Sequence, residues 1–340
     1  MKKSLLALAV LGAFAGAASA QSSVTLYGTV DLSAKYVKNE GSNRRLSLSQ
    51  DGINSSQLGF RGIEDLGGGL KAGFDLIAGV NADTGTTNAK FFNRRAVIKL
   101  IGNFGEIRAG RDYTPTFWNQ TIFDAFGTVG LGSSLNVAQL TTATFVRADN
   151  SIDYYLPSNL GGFYGQVMVA AAENGPQGRY IGGRAGFAAG PFDVALAYGT
   201  QRSAAPTFGD DKTVNVGGAY DFGFLKLMGY IDRDSQTGLK DTRGGVSVVV
   251  PFGQSEVHVG YARSKLTNTI APSNYSSTVW QASATYQYNL SKRTAMYGTV
   301  SDLKNGNQSQ NSVAGGSSIT ALPILGGSSK GFEMGLRHFF

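Results

Sequence analysis

The sequence predicts an all-β fold, a closed antiparallel barrel of about 16 strands crossing the bacterial outer membrane. Three observations lead there: an export signal at the start, apolar/polar alternation almost from end to end, and connections that alternate between short and long. Composition removes the competing classes. Gly 47 of 340 is high, and 16% charged residues falls well below the roughly 25% of an ordinary soluble domain. A hydrophobic fraction of 42% and a mean hydropathy of -0.09 leave no room for a bundle of membrane helices, each needing about 20 consecutive apolar residues. Eight prolines and an aromatic fraction of 11% argue against a collagen-like or disordered chain. With Cys 0 and His 2, neither a thiolate metal site nor a cysteine nucleophile is available, and no cofactor or metal is expected.

Met1-Lys2-Lys3 is a short basic start, Leu5 to Ala17 is an apolar run too short for a membrane span, and Ala18-Ser19-Ala20 is an A-x-A cleavage pattern. Residues 1–20 are therefore expected to be a cleaved signal peptide, leaving 21–340 as the barrel domain. Without Lys2 and Lys3 the formal charge falls from +7 to +5. So small an excess does not point to nucleic acid.

In the first strand, Val24 to Tyr36, Val24, Leu26, Gly28, Val30, Leu32, Ala34 and Tyr36 form one face, and the other is mostly polar, with Asp31 and Lys35. That is a strand with one apolar and one wet face. The pattern recurs around 53–63, 70–80, 90–101, 106–112, 149–157, 163–172, 179–189, 192–201, 212–221, 224–233, 241–251, 256–265, 277–288, 294–303 and 330–340. Between them Glu64–Gly69, Gly102–Gly105, Ser158–Gly162, Gly190-Pro191, Asp221–Gly223, Phe252–Ser255 and Asn289–Arg293 are tight turns. Longer polar stretches occupy 39–52, 113–148, 202–211, 266–276 and 304–329. A soluble sandwich has no reason to sort its connections by length, whereas an outer-membrane barrel has short periplasmic turns and long external loops. Closure follows because hydrocarbon cannot satisfy a free sheet edge. In the last strand Phe332, Met334, Leu336, His338 and Phe340 share a face, which puts Phe340 in the lower aromatic girdle.

Several segments carry a family resemblance: Tyr27-Gly28, Leu58-Gly59-Phe60-Arg61-Gly62 followed by Glu64-Asp65-Leu66-Gly67-Gly68-Gly69-Leu70, Gly102-Asn103-Phe104-Gly105, Arg108-Ala109-Gly110-Arg111, Asn150-Ser151-Ile152-Asp153-Tyr154 and Gly335-Leu336-Arg337-His338-Phe339-Phe340. In order and spacing they resemble the Gram-negative trimeric general porins, especially the β-proteobacterial branch, across the whole mature chain. The resemblance implies 16 strands, a homotrimer, an inward-folded third loop, and passive diffusion of small hydrophilic solutes and ions. The barrel assembly machinery, outer-membrane lipid and lipopolysaccharide are the expected partners, with Phe340 as the assembly signal.

The longest stretch without alternation, about 111–148, occupies the position of that third loop. A wide barrel leaves an aqueous lumen, so an inserted segment must set the size cut-off. Phe117, Trp118, Phe123 and Phe126 supply a packing core for it. Alternation puts Arg61, Arg95, Lys99 and Arg108 on the polar face, and motif position adds Arg111 and Arg147 as the leading selectivity residues, with Arg94 competing with Arg95. The family's basic residue four positions before Arg61 is Gln57 here, which removes one wall charge. Asp124 is the acid within the loop, so a weakly to moderately anion-selective pore is expected.

A substrate-specific channel, a receptor or an adhesin on the same barrel is the alternative reading. Tyr113, Phe117 and Trp118 could form part of a sugar-binding aromatic track or the loop's own core. An enzyme is not expected, since no G-x-S-x-G elbow is present and the histidines are His258, on the lumen phase, and His338, on the lipid phase.

Overall fold

The computed structural model describes residues 23–140, 146–172, 179–203, 209–314 and 321–340. The expected signal segment lies outside them. The first half comprises β1 (Ser23–Asn39), β2 (Arg45–Gln50), β3 (Gln57–Gly67), β4 (Leu70–Asn81), the two-residue β5 (Thr86–Thr87), β6 (Arg95–Gly102), β7 (Gly105–Tyr113), α1 (Pro115–Ile122), β8 (Arg147–Tyr155) and β9 (Phe163–Ala170). The second half is β10 (Tyr180–Ala189), β11 (Phe192–Gln201), β12 (Asp211–Asp221), β13 (Lys226–Gln236), β14 (Leu239–Phe252), β15 (Ser255–Asn268), β16 (Tyr275–Asn289), β17 (Thr294–Asn305) and β18 (Ser328–Phe339).

Every ladder among the described residues is antiparallel, and β1 pairs with β18 from Thr29↔Phe339 to Asn39↔Ser329, which closes the ring. β2 pairs with Leu32–Val37 of β1 and β3 with Ser23–Thr29, so the two make one interrupted stave. β5 only flanks the end of β4, leaving the expected 16 staves. At the seam the Phe340 and Gly28 backbones exchange two hydrogen bonds of 3.1 Å. A Cβ on Gly28 would lie 2.3 Å from the Phe340 ring, so only glycine fits beneath the terminal aromatic.

The wall is inside out relative to a water-soluble sheet. On β1, Asp31, Ser33 and Lys35 are 0%, 1% and 5% exposed, while Leu26, Val30 and Tyr36 are 55%, 39% and 37% exposed. Apolar side chains facing outward suit hydrocarbon, and inward polar residues satisfy one another, as in Ser283–Ser301 and Thr285–Thr299, both at 2.8 Å.

Two expectations need correction. The stretch 39–52 was expected to be loop but holds β2, whose alternating Leu46-Ser47-Leu48-Ser49 is hidden between two arginines and Asp51-Gly52. External connections are not uniformly long either: β13 and β14 are joined by Thr237-Gly238 alone, with Gly238 at φ +75° making the turn.

Candidate functional site

The segment after β7 is built to leave the wall. Thr114 caps α1, its hydroxyl accepting the Phe117 N–H at 3.4 Å, and Pro115 occupies the first turn, where no backbone donor is needed. The helix lies against inward-facing residues of β11 and β12. Asn119 Nδ2 donates to Asn215 Oδ1 at 2.8 Å, and Asn215 Nδ2 donates to the Thr116 carbonyl at 2.9 Å. Phe123, 1% exposed, packs with Ala195, Ala219, Met228 and Tyr230. A Cβ on Gly217 would lie 2.1 Å from its ring, which makes that glycine a docking notch.

Further along, His258 on β15 bonds the Ala125 carbonyl through Nδ1 at 2.8 Å and faces the Phe126 ring. Leu131 and Val137, both 0% exposed, complete an apolar cluster with Val37, Val279, Leu303 and Val313. The Leu131 N–H donates to Glu333 Oε1 at 3.3 Å, and the returning limb is tied where Gln139 N–H donates to Asp241 Oδ2 at 2.9 Å. The segment thus runs against the inner faces of β11 to β18. Phe117 is buried against Tyr113 at 5.5 Å between ring centroids, whereas Trp118 stays 37% exposed. Residues 141–145 lie outside the described residues.

Asp124 is turned into the segment itself. Its carboxylate accepts the N–H groups of Phe126, Thr128 and Ser134 at 3.0, 3.2 and 3.3 Å. Burial pushes this carboxyl up from its ordinary value, and those donors oppose the shift. It therefore serves the turn rather than presenting charge to the lumen.

Register places the wall cations. Arg61 is opposite Asp75, Ile77 opposite Arg95, and Lys99 opposite Arg108. Asp75, Ile77 and the Asp153 that faces Arg108 are buried inward, so these four cations share the lumen side. Three of them are neutralised locally. Lys99 pairs with Asp75 at 2.6 Å and Arg95 with Asp112 at 2.8 Å, while Arg108 bridges Glu106 at 2.7 Å and Asp112 at 2.8 Å.

Arg94 and Arg147 make a different arrangement, centred on Tyr113. Both donate to its hydroxyl, at 3.1 and 2.7 Å, and the Arg147 guanidinium stacks 4.3 Å from the ring centroid. Arg147 Nε also donates to the Arg94 carbonyl at 2.9 Å. Arg61 rests over the Tyr27 ring at 5.0 Å. Among the described residues none of Arg61, Arg94 and Arg147 has a carboxylate within salt-bridge distance.

Arg111, a leading candidate from the motif, does not join them. It sits opposite Ala96, on the sheet face where Ile98 is 66% exposed, and is bound to Asp149 at 2.6 Å and to the Asn93 carbonyl at 2.8 Å. The reason is parity: Arg108, Gly110 and Asp112 take the inward positions of β7. Sequence reasoning passed over Tyr113 as an arginine platform, Asn215, and the acids that neutralise Arg95 and Lys99. Cross-strand partners leave no local signal in the sequence.

A closed barrel with a lipid-compatible exterior and a polar lumen, partly filled by the segment after β7, defines an outer-membrane channel. The chain belongs to the Gram-negative porin family, whose model matches residues 7–308. It is 39% identical to outer membrane porin protein 32 of Delftia acidovorans, with 100% of both chains covered. It is 30% identical to an outer membrane porin protein of Bordetella pertussis, over 90% of this chain and 95% of that one. Among solved structures it superposes on the anion-selective porin from Comamonas acidovorans with a TM-score of 0.83 and 35% identity, covering 94% of this chain and 100% of that one. The protein is an integral outer-membrane porin, not an enzyme, and forms a water-filled channel for passive diffusion of ions and small hydrophilic solutes.

Proposed function

We propose that the channel favours anions, that segment 111–148 is its constriction, and that Arg61, Arg94 and Arg147 are the charges that select. The observation that carries this is an imbalance: among the described residues Arg61, Arg94 and Arg147 have no carboxylate within salt-bridge distance, while Asp112 and Asp124, the acids of the segment, are both spent on internal bonds. Unpaired guanidinium groups around a narrow aqueous path raise the local concentration of anions and repel cations. Arg95, Lys99, Arg108 and Arg111 contribute far less, because each stands beside an acid. The anion selectivity named for the Comamonas porin agrees in sign.

The working unit in this reading is a homotrimer. Recording single insertions in a planar bilayer across a salt gradient tests both parts, with three coupled conductance levels and a chloride-favouring zero-current potential as the expected result. A cation-favouring potential would remove the role given to the arginines and leave the channel intact.

Two partners follow from the outer surface. Phe340 is the residue read by the barrel assembly machinery, so Phe340→Ser should lower the yield of protein in the outer membrane; undiminished yield would refute it. On the long-loop half of the wall Arg233, Lys240, Arg263, Lys265 and Lys304 point outward and are exposed, with Trp280 in register between Arg263 and Lys304. The short-turn half of the same strands presents Leu227, Val259, Tyr286 and Met296 instead. This one-sided basic band pairs with lipopolysaccharide phosphates. Arg263→Gln with Lys304→Gln should reduce the lipopolysaccharide retained on purification, and equal retention would count against the site.

A further inference from the structure

We propose that the break in the second stave, residues 51–56, is the seat that fixes the tip of the constriction segment, and that Asp31 on β1 is the positioning residue that holds this seat. The proposal rests on reading 111–148 as the constriction and adds the opposing element of the wall to it.

The break is an excess of chain. β1 leaves only Val30 and Asp31 between the register of β2, which ends at Leu32↔Gln50, and that of β3, which begins at Thr29↔Gln57. Residues 51–56 stand opposite those two, so the surplus must bulge. Its direction is inward: a Cβ on Gly52 would lie 1.9 Å from the Tyr297 hydroxyl, and Asn54 Oδ1 accepts from Arg337 Nη1 at 3.0 Å, both from buried inward side chains.

One carboxylate organises the bulge. Asp31, 0% exposed, accepts the successive N–H groups of Gly52, Ile53 and Asn54 at 3.3, 3.0 and 2.7 Å, and the Tyr297 hydroxyl as well. Three consecutive backbone donors converging on one anion form a nest, and bonds to an ionised acceptor are the stronger kind. Ser56 closes the turn, its N–H donating to Asp51 Oδ1 at 2.6 Å and its hydroxyl to the Asp31 carbonyl at 3.0 Å. Asp51 adopts φ +63°, a left-handed conformation that the surrounding bonds must hold.

The bulge meets the constriction tip directly. A Cβ on Gly130, at φ +69°, would lie 1.8 Å from the Gly52 carbonyl oxygen, so the two backbones touch. Around this contact the lumen divides. Asp51 and Ser55 line a cavity of about 640 Å³ on the long-loop side, and Gly52, Ile53 and Asn54 line one of about 810 Å³ on the short-turn side. Val129 of the constriction segment borders both. The tip therefore rests on the bulge where the two halves of the lumen approach each other, and the bulge sets how far the tip stands from the wall.

Asp31→Asn puts an amide where three N–H groups converge and should loosen the seat. The expected result is a rise of about 1.5-fold in single-channel conductance with a larger polymer exclusion limit. The zero-current potential should keep its sign, because Arg61, Arg94 and Arg147 are untouched. A merely structural role for Asp31 would lower resistance to heating in detergent and leave the exclusion limit unchanged, and that outcome overturns the proposal. Should Asp31→Asn fail to assemble, Ser55→Cys gives a second test in a chain with Cys 0. A bulky thiol reagent on that cysteine should reduce conductance, and full labelling with unchanged conductance overturns the proposal equally. Deletion within Phe117–Leu135 separates the two readings. If the deletion leaves the exclusion limit unaltered, the constriction itself is misassigned; if it widens the pore while both seat variants conduct normally, only the seat falls.

Discussion

Replacing Arg94 and Arg147 together by Ala is expected to abolish most of the chloride preference. Two unit charges about 4 Å apart in water interact with about 1 kcal/mol, and a factor of ten in relative permeability corresponds to about 1.4 kcal/mol. Two unscreened guanidinium groups beside the path therefore supply on the order of a tenfold bias, and the double variant should lose that much in dilute salt. At about 1 M salt, where the screening length is near 3 Å, the difference between the two proteins should shrink toward nothing. The measurement is the zero-current potential at several mean salt concentrations. Arg111→Ala is the internal control: its guanidinium is held by Asp149 on the outward face, and its loss should leave the potential where it was. If Arg111→Ala shifts the potential and the double variant does not, the motif has identified the selectivity charge and the register argument has failed.

That contrast marks how far the sequence could be read. The barrel was legible because alternation is a local property: each strand announces two faces, and the positions of Arg61, Arg95, Lys99 and Arg108 on the polar face of theirs agree with the ladders. Whether a lumen charge is free is not local. Asp75 lies 24 residues from Lys99, and only the β4–β6 register brings them together. Arg94 shows the opposite limit, since it precedes β6 and strict alternation does not apply to it. Likewise the aromatic residues announced that the segment after β7 packs against something, but Gly217, which receives Phe123, and Asn215, which holds α1, carry no signal in their own neighbourhoods. The surplus of residues opposite Val30 and Asp31 appears only once both halves of the interrupted stave are in register with β1.

The largest stability effect is expected from Arg243→Ala. Arg243 on β14 is 1% exposed and pairs with Asp232 and Asp234 of β13 and, at 3.4 Å, with Asp241. It also donates to the Leu140 carbonyl at 3.3 Å. Three acids around one guanidinium are tolerable because other donors share the load: Thr213 and Asn215 reach Asp234 and Asp232, and Ser264 reaches Asp241. Removing the one cation leaves buried carboxylates facing each other, a change that typically costs about 3–5 kcal/mol. The midpoint of urea unfolding in detergent should fall accordingly. Replacing Arg243→Met together with Asp232→Asn and Asp234→Asn, which leaves Asp241 to its Ser264, Gln139 and Leu140 donors, should recover most of the loss, because the penalty comes from uncompensated charge rather than from a missing attraction. The same substitution reaches the channel. Asp241 accepts the N–H groups of Gln139 and Leu140 at 2.9 and 3.2 Å, so a disturbed cluster frees the returning limb of the constriction segment, and open-channel noise should rise alongside the lost stability. A midpoint within error of the parent protein would show that the three acids do not depend on Arg243, and the anchor assigned to that limb would have to be sought elsewhere in the wall.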